Sequence, residues 1–528
     1  MRVDKIPTMS LFPKSEIEQT IPRRFEKQVA AQAQHQAIVD GGDSLTYESL
    51  NIRANQLAWA LLKKNLHQGP VVCLCEQGIP FIVATLGILK SGTYYAPLDP
   101  QDSDESLIQL FNRIEPVCIV ADRAGIGRLA SLPNNGIPII TQESMGSNLP
   151  THNPDPDLSP DSLAYIYFTT GSTGEPKGVI DNHRNVLHNV MRYTNSLSIL
   201  AGDRLTLLHA PNLSACVSSQ FGALLNGASV FPKRFQASTI ETLPSWLIEH
   251  RISIYHSVPA VFRFALNPST LDSSLRIMRL EGDQAAINDL AIFQAFSPPG
   301  CVLVNGLGTS ETGICRQYFF EKTSTLPKGN VPVGYPVEDM EIMILDAEGL
   351  EFPKNEIGEI AVRSSFLSSG YWNDSQRTAE SFSASSENEN LRTWKTGDLG
   401  MIKEDGCLDY LGRLNADAEI SRQADPLTFQ PNSLTQQTGS SSTLTSQTLA
   451  SIWADIFNRE TISGHDNFFQ IGGNSLHAFR LVAEIQTLFS VPFSVKEVFE
   501  HPNLNDQLQL LEAKLSDCSP EDQGEPSS

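Results

Sequence analysis

The chain has 528 residues, 40% of them hydrophobic and 19% charged, a balance that suits folded globular domains and excludes a wholly disordered chain. Its length exceeds what one hydrophobic core organises, so more than one domain is expected. A formal net charge of -22, with no Lys/Arg run longer than two, argues against nucleic acid as a partner, because a phosphate backbone calls for a basic face.

The N-terminal "MRVDKIPTMSLFPKSE" has no apolar signal core. Next come the helix-like "ESLNIRANQLAWALLKKN", the strand-like "PVVCLC" and the apolar "IPFIVATLGILKSG". The longest apolar stretch, "IPFIVATLGIL", is too short to cross a bilayer, so no membrane association is expected. In "VVCLC" both Cys73 and Cys75 would face one side of a buried strand. Eight cysteines are scattered without metal-ligand spacing and read as reduced core thiols, which fits a cytoplasmic protein.

The alternation of helical and strand-like segments continues to about Gly412 and predicts an α/β architecture with largely parallel sheets. "LAYIYF" reads as a buried strand and "HRNVLHNVMRYTNSL" as a helix. Later, "MEIMILD" and "GEIAVRS" predict a smaller sheet or barrel. Residues 421–443 are rich in Ser, Thr, Gln and Pro and read as a linker. Beyond it, Leu449, Ile452, Trp453 and Ile456 form one helical face, and Ala478, Leu481, Val482, Ile485 and Phe489 form another. A small helical domain is predicted to about Leu515, followed by a disordered polar tail over 516–528.

Between the strand "LAYIYF" and the helix lies "TTGSTGEPKGV". A glycine-rich loop between strand and helix is a way to cradle phosphates. The Walker spacing fails, since no Gly-Lys-Ser/Thr triplet follows. The hydroxyls of Thr169, Thr170, Ser172 and Thr173 and the backbone N–H groups of Gly171 and Gly174 can wrap terminal phosphates, with Lys177 neutralising charge and Pro176 stiffening its approach. On composition alone, a Gly/Ser surface loop fits equally well.

The longer string "LAYIYFTTGSTGEPKGVIDNHRNV" resembles the signature of the adenylate-forming superfamily, which includes acyl-CoA synthetases, luciferases and the adenylation domains of nonribosomal peptide synthetases. Further matching strings follow in order: "LTYESLNIRANQLAWAL", "LGILKSGTYYAPLDP", "NGLGTSETG", "GEIAVRSSFLSSGYW", "TGDLG" and "YLGR". "DNFFQIGGNSLHAF" is similar to the attachment motif of peptidyl carrier domains, which makes Ser475 the expected site of 4'-phosphopantetheine. A serine opening a helix also sets a phosphodiester beside the positive end of the helix dipole.

The resemblance implies a large adenylation domain over 20–413 made of two sheet-and-helix subdomains plus a β-rich part, a lid remnant and linker over 414–443, and a four-helix carrier over 444–515. It implies that Thr169, Thr170, Gly171, Ser172, Thr173, Gly174 and Lys177 hold the phosphates of ATP, that Ser310 contacts the α-phosphate, and that Glu311 binds Mg²⁺. Asp398 would meet the ribose hydroxyls, with Arg413 nearby. The implied activity is ATP-dependent activation of a small carboxylic acid and its loading on Ser475. Implied partners are a phosphopantetheinyl transferase and downstream synthetase or tailoring enzymes on separate chains. A carrier scaffold loaded or assisted in trans is the second expectation.

Three departures from the family pattern qualify this. Leu307 stands where relatives place an aromatic ring against adenine. Ser214 stands where relatives place the aspartate that pairs with a substrate α-ammonium, and a serine cannot neutralise that charge, so a hydroxy, keto, aryl or fatty acid becomes plausible. After Arg413, with Asn415 at the hinge position, only about thirty residues precede the carrier, fewer than the ~50 a domain needs, so the C-terminal lid with its lysine is expected to be missing.

Overall fold

The computed structural model describes residues 11–65, 69–134, 136–142, 148–170, 175–234, 240–327, 329–384 and 390–413, together with most of 441–517. They fall into two compact units, each described by itself: residues 1–234 with 242–414, and residues 415–528 with 235–241.

Among the described residues the large unit contains sheets of seven, nine and five strands. The seven-stranded sheet is parallel through Leu163–Thr170, Tyr94–Leu98, Pro70–Leu74, Cys118–Ala121 and Ile139–Thr141, and antiparallel at the edge formed by Pro176–Asn182 and Gly370–Tyr371. The nine-stranded sheet has the same plan, with a parallel centre and antiparallel strands at its margins. Parallel strands are covered on both faces, which is why they read as continuous apolar runs. In Pro70–Leu74, Val71 and Cys73, followed by Cys75, enter one core, while Val72 and Leu74 enter another, as the two-residue period requires. The core that takes Cys73 and Cys75 also holds Ile38, Leu205 and Val230 of the nine-stranded sheet and residues of the helices Tyr47–Leu62, Ile79–Lys90, His183–Leu197 and Ala215–Leu224. Both sheets therefore close on one shared layer of helices. The third sheet is antiparallel and contains Glu341–Leu345 and Ile357–Ser364, the segments predicted as a smaller β-rich part.

Capping fixes where helices begin. Thr46 accepts from the Ser49 N–H at 3.1 Å to open Tyr47–Leu62, and Asn182 accepts from the Asn185 N–H at 2.8 Å to open His183–Leu197. One expectation is corrected here. The glycine-rich loop does not run from strand into helix: Pro176–Asn182 folds back as an antiparallel strand on Leu163–Thr170, and the helix starts only after it. The loop is thus a hairpin tip, and the positive end of the helix dipole lies a full strand away from it in sequence. The cause is legible afterwards in "PKGVID", whose Val179 is buried in the pairing.

In the second unit the helices Ser441–Phe457, Ser475–Phe489 and Leu504–Asp517 bury Leu449, Ile452, Trp453, Ile456, Ala478, Leu481, Val482 and Ile485. Phe489 is half-buried. Trp453 donates from Nε1 to Gln507 Oε1 at 3.1 Å, and its ring meets Phe468 edge-on, so the indole's polar end is satisfied inside the core. The expected linker up to residue 440 and the tail from residue 518 lie outside the described residues. Among the described residues seven cysteines are free and buried, and no helix is long and apolar enough to cross a membrane.

Candidate active site

Two hairpins bring together residues that the sequence assigns to the nucleotide. The first joins Leu163–Thr170 to Pro176–Asn182 with Thr169 opposite Lys177 and Thr170 opposite Pro176. Gly171, Ser172, Thr173 and Gly174, at its tip, lie outside the described residues. The root of the loop is pinned by Arg113, which donates to Glu175 at 2.8 Å and to the Pro176 carbonyl at 3.1 Å. The second hairpin joins Val302–Thr309 to Gly313–Glu321, with Ser310, Glu311 and Thr312 as its turn. Gly313 has φ +58°, and a Cβ there would come within 2.4 Å of the Asn189 side chain, so only glycine closes this turn. Buried Arg192 donates to the Thr312 carbonyl at 3.0 Å, and the Ser368 N–H donates to the Glu311 carbonyl at 2.8 Å. The turn that carries Glu311 is therefore held from two sides.

Lys177 and Glu311, 134 residues apart in sequence, meet with Nζ to Oε1 at 2.5 Å. The Tyr371 hydroxyl donates to the same carboxylate oxygen at 3.1 Å and accepts from Lys177 at 3.2 Å. Trp394 donates from its indole to the Tyr371 hydroxyl at 3.2 Å, and the ammonium stands 4.9 Å from the Tyr371 ring centre. Glu311 is only 4% exposed, so this is a nearly buried ion pair backed by two aromatic groups. Burial draws the Lys177 pKa down, but the charge and hydrogen bond of Glu311 together with those of Tyr371 outweigh it and hold the ammonium above its ordinary value.

The residues expected at the acid and at the ribose also find neighbours. Ser214 caps the helix Ala215–Leu224 in position, and its hydroxyl lies 2.6 Å from that of Ser310. Asp398 and Arg413 face each other across the antiparallel pair Arg392–Ile402 and Leu408–Arg413. Asp398 is buried, four residues along the strand from Trp394. Leu307 packs with Tyr410 against the core of the third sheet. Ser475 opens the helix Ser475–Phe489 in the other unit. Tyr371 and Trp394 received no role from the sequence, although Tyr371 stands in the quoted "GYW". Their tie to Lys177 is a long-range contact with no local periodic signal.

The family profile described as "AMP-binding enzyme" matches residues 25–372, and that of the "Phosphopantetheine attachment site" matches residues 447–511. The chain belongs to the AMP-binding enzyme family. Its large unit is an adenylation domain of the AMP-forming ligase kind, fused to a carrier domain. It is 26% identical to tyrocidine synthase 3 of Brevibacillus parabrevis over 602 positions, covering 96% of this chain and 9% of that protein. It is 28% identical to tyrocidine synthase 1 of the same organism over 407 residues, covering 76% of this chain and 36% of that one. The chain thus spans well under half of these relatives. Among solved structures, that of the nonribosomal peptide synthetase FmoA3 superposes with a TM-score of 0.70 at 24% identity, covering 93% of this chain and 50% of that one. The N-terminal subdomain of Klebsiella oxytoca NpsA, solved with 3-hydroxybenzoyl-AMSN, gives 0.66 at 20% identity, covering 75% of this chain and 98% of that one.

The cofactors of this domain pair are ATP with Mg²⁺ and 4'-phosphopantetheine. The adenylation domain fits the first of these on its own atoms. Among the described residues the Thr169 hydroxyl is buried without a hydrogen-bond partner at the start of the glycine-rich loop, a polar group that a phosphate oxygen would satisfy. Among the described residues there is no cluster of three or more His, Cys, Asp or Glu that could hold a metal ion.

Proposed function

We propose that the chain activates a carboxylic acid with ATP as its acyl-adenylate and loads the acyl group onto phosphopantetheine at its own Ser475, within nonribosomal peptide or related secondary-metabolite synthesis. The observation that carries the reading is the Lys177–Glu311–Tyr371 contact, which sets a cation and a carboxylate at the mouth of a loop whose root holds an orphaned hydroxyl. ATP supplies the leaving pyrophosphate and the thiol of phosphopantetheine supplies the acceptor. Lys177 and the loop from Thr169 to Gly174 would hold and neutralise the terminal phosphates, and Glu311 would hold Mg²⁺. Ser310 orients the α-phosphate, with Ser214 beside it at the acid. Asp398 accepts from the ribose, with Arg413 opposite. Such positioned charges act where charge develops and need no rearrangement during reaction.

The lid is absent from this reading. Profile matches end at residue 372 and resume at 447, and the 602-position alignment with tyrocidine synthase 3 is longer than the 528-residue chain, so that relative carries residues with no counterpart here. The NpsA N-terminal subdomain holds an adenylate analogue, which supports nucleotide and acid binding by the core alone. A lid or loading enzyme working in trans, from a phosphopantetheinylated carrier scaffold, is the second reading. Carboxylate-dependent ATP–pyrophosphate exchange by the full chain, beside Lys177→Ala, separates them. Exchange lost in the variant supports activation of the acid by this chain; silence, in protein that accepts phosphopantetheine on Ser475, supports the scaffold.

A further inference from the structure

A second polar cluster shares its walls with the Ser214–Ser310 pair. The helix that Ser214 caps carries Ser219, whose hydroxyl lies 3.1 Å from His256 Nδ1. The His256 ring stands 4.6 Å from that of His209, and its Nε2 lies 3.6 Å from Glu281 Oε2. Arg279 donates to that same oxygen from Nε at 2.9 Å and from Nη2 at 2.7 Å. The other wall is the strand Val302–Thr309, which leads into the turn of Ser310. A Cβ on Gly306 would come within 2.5 Å of the Arg279 guanidinium, and one on Gly308 within 2.2 Å of Glu281, so the pair fills the space those two glycines leave.

The cluster is incomplete. Among the described residues, both ring nitrogens of His209 and Nη1 of Arg279 are buried without a hydrogen-bond partner, and Nε2 of His256 has only Glu281, at 3.6 Å. These residues are 6%, 1% and 0% exposed, so bulk water does not serve them. Buried polar atoms left unpaired are rare and costly, and three in one place, beside a fourth only loosely paired, mark a polar site. Its charge says what kind. Arg279 and Glu281 cancel, and burial drives the His209 imidazole down to about 3 and lowers that of His256, so both rings are neutral at pH 7. An ionised ligand group would lose its hydration without gaining a counter-charge, and an alkyl group would leave the His209 and Arg279 atoms unmet.

We propose that this chain selects a carboxylic acid whose far end carries an uncharged hydrogen-bonding group, a hydroxyl, phenol or carboxamide, received by His209, His256 and Arg279. The proposal rests on the adenylation reading for the carboxylate end, which lies at Ser214 and Ser310. It excludes the plain fatty acids that the loss of an aspartate at position 214 leaves open.

The test uses the full chain and two matched triplets of acids: 3-hydroxybenzoate, benzoate and isophthalate; glutaramate, 5-methylhexanoate and glutarate. Thermal unfolding reads acid binding, and ATP–pyrophosphate exchange reads activation. The uncharged polar member of at least one triplet should raise the melting temperature and exceed both partners in exchange kcat/KM by at least about tenfold. His209→Phe should erase that preference, and His209→Gln, which keeps hydrogen bonding, should retain it. Circular dichroism on each variant separates lost recognition from lost folding. Preference for the alkyl or charged member, equal shifts by all members, or no shift by any acid, as for a site holding internal water only, would overturn the proposal. A polar-specific thermal shift with silent exchange would uphold the proposal for acid recognition and refute activation by this chain alone.

Discussion

The two polar clusters of the large unit differ in how their groups are satisfied. Around Lys177, the ammonium, the carboxylate and the phenol answer one another at 2.5 to 3.2 Å, and the hairpins beneath are fixed by Arg113, Arg192 and Gly313. Around His209, an ion pair stands beside buried nitrogens of His209 and Arg279 that have no hydrogen-bond partner among the described residues. Invariant chemistry is served by groups that are already placed, since the phosphates of every ATP are the same. Selection is served by groups left waiting, because a polar site punishes the wrong ligand by staying unpaired. The first cluster should therefore govern rate for all acids alike, and the second should govern which acid reacts.

The sharpest way to break this division is to remove the ion pair. Lys177→Ala should lower exchange on the order of 10²- to 10³-fold, by the same factor for every acid that reacts. Glu311→Gln should act on a similar scale and shift the Mg²⁺ concentration needed for half-maximal exchange upwards, because a neutral amide is a poorer ligand for a hard cation. An unchanged Mg²⁺ response would remove Glu311 from metal binding. A Lys177 variant that reordered the acids would collapse the distinction between the clusters.

Tyr371→Phe comes next. It deletes the hydroxyl that bonds to both members of the pair and to the Trp394 indole. Hydrogen bonds to charged groups contribute about 1.5–3 kcal/mol, so kcat should fall roughly ten- to a hundredfold. The ratio of kcat/KM between any two acids should stay fixed. A changed ratio with unchanged kcat would place Tyr371 on the selecting side.

These contacts mark the boundary of what the sequence carries. Local signals were legible because they are local: the apolar period of Tyr47–Leu62, the two-faced burial of Val71 to Cys75, and the carrier helices around Trp453. The ordered family strings placed Lys177, Glu311, Ser310 and Asp398 in one domain. The strand Pro176–Asn182 escaped because glycine and proline at its start read as loop, and its pairing partner is supplied across the hairpin. Tyr371 lies 194 residues from Lys177, and His209, His256, Arg279 and Glu281 follow three different strands of the nine-stranded sheet or sit on them. No spacing along the chain encodes that meeting; only the parallel order of those strands does.

The smallest expected effect probes the hairpin that carries Lys177. Asp181 is buried at its far end, accepting from the Asn182 N–H at 3.0 Å and weakly from the Tyr165 hydroxyl at 3.4 Å. Burial pushes its carboxyl up to about 7. The folded state therefore binds this proton more tightly than the unfolded chain. The resulting stability is fully present below the ordinary carboxylate pKa of 3.8 and is lost as pH rises through about 7. Lys177, raised by its partner, contributes in a separate window: its share persists below 10.5 and disappears only in alkali. Asp181→Asn keeps the shape and removes the ionisation. Its melting temperature relative to the parent should climb between pH 4 and 7 by a few degrees and stay level from pH 7 to 9. A difference independent of pH would mean that Asp181 is charged in the folded protein. Either result leaves the Lys177–Glu311 pair intact, so exchange measured at pH 8 should match the parent, and a parallel loss of exchange would show that the hairpin transmits strain from its buried end to its catalytic one.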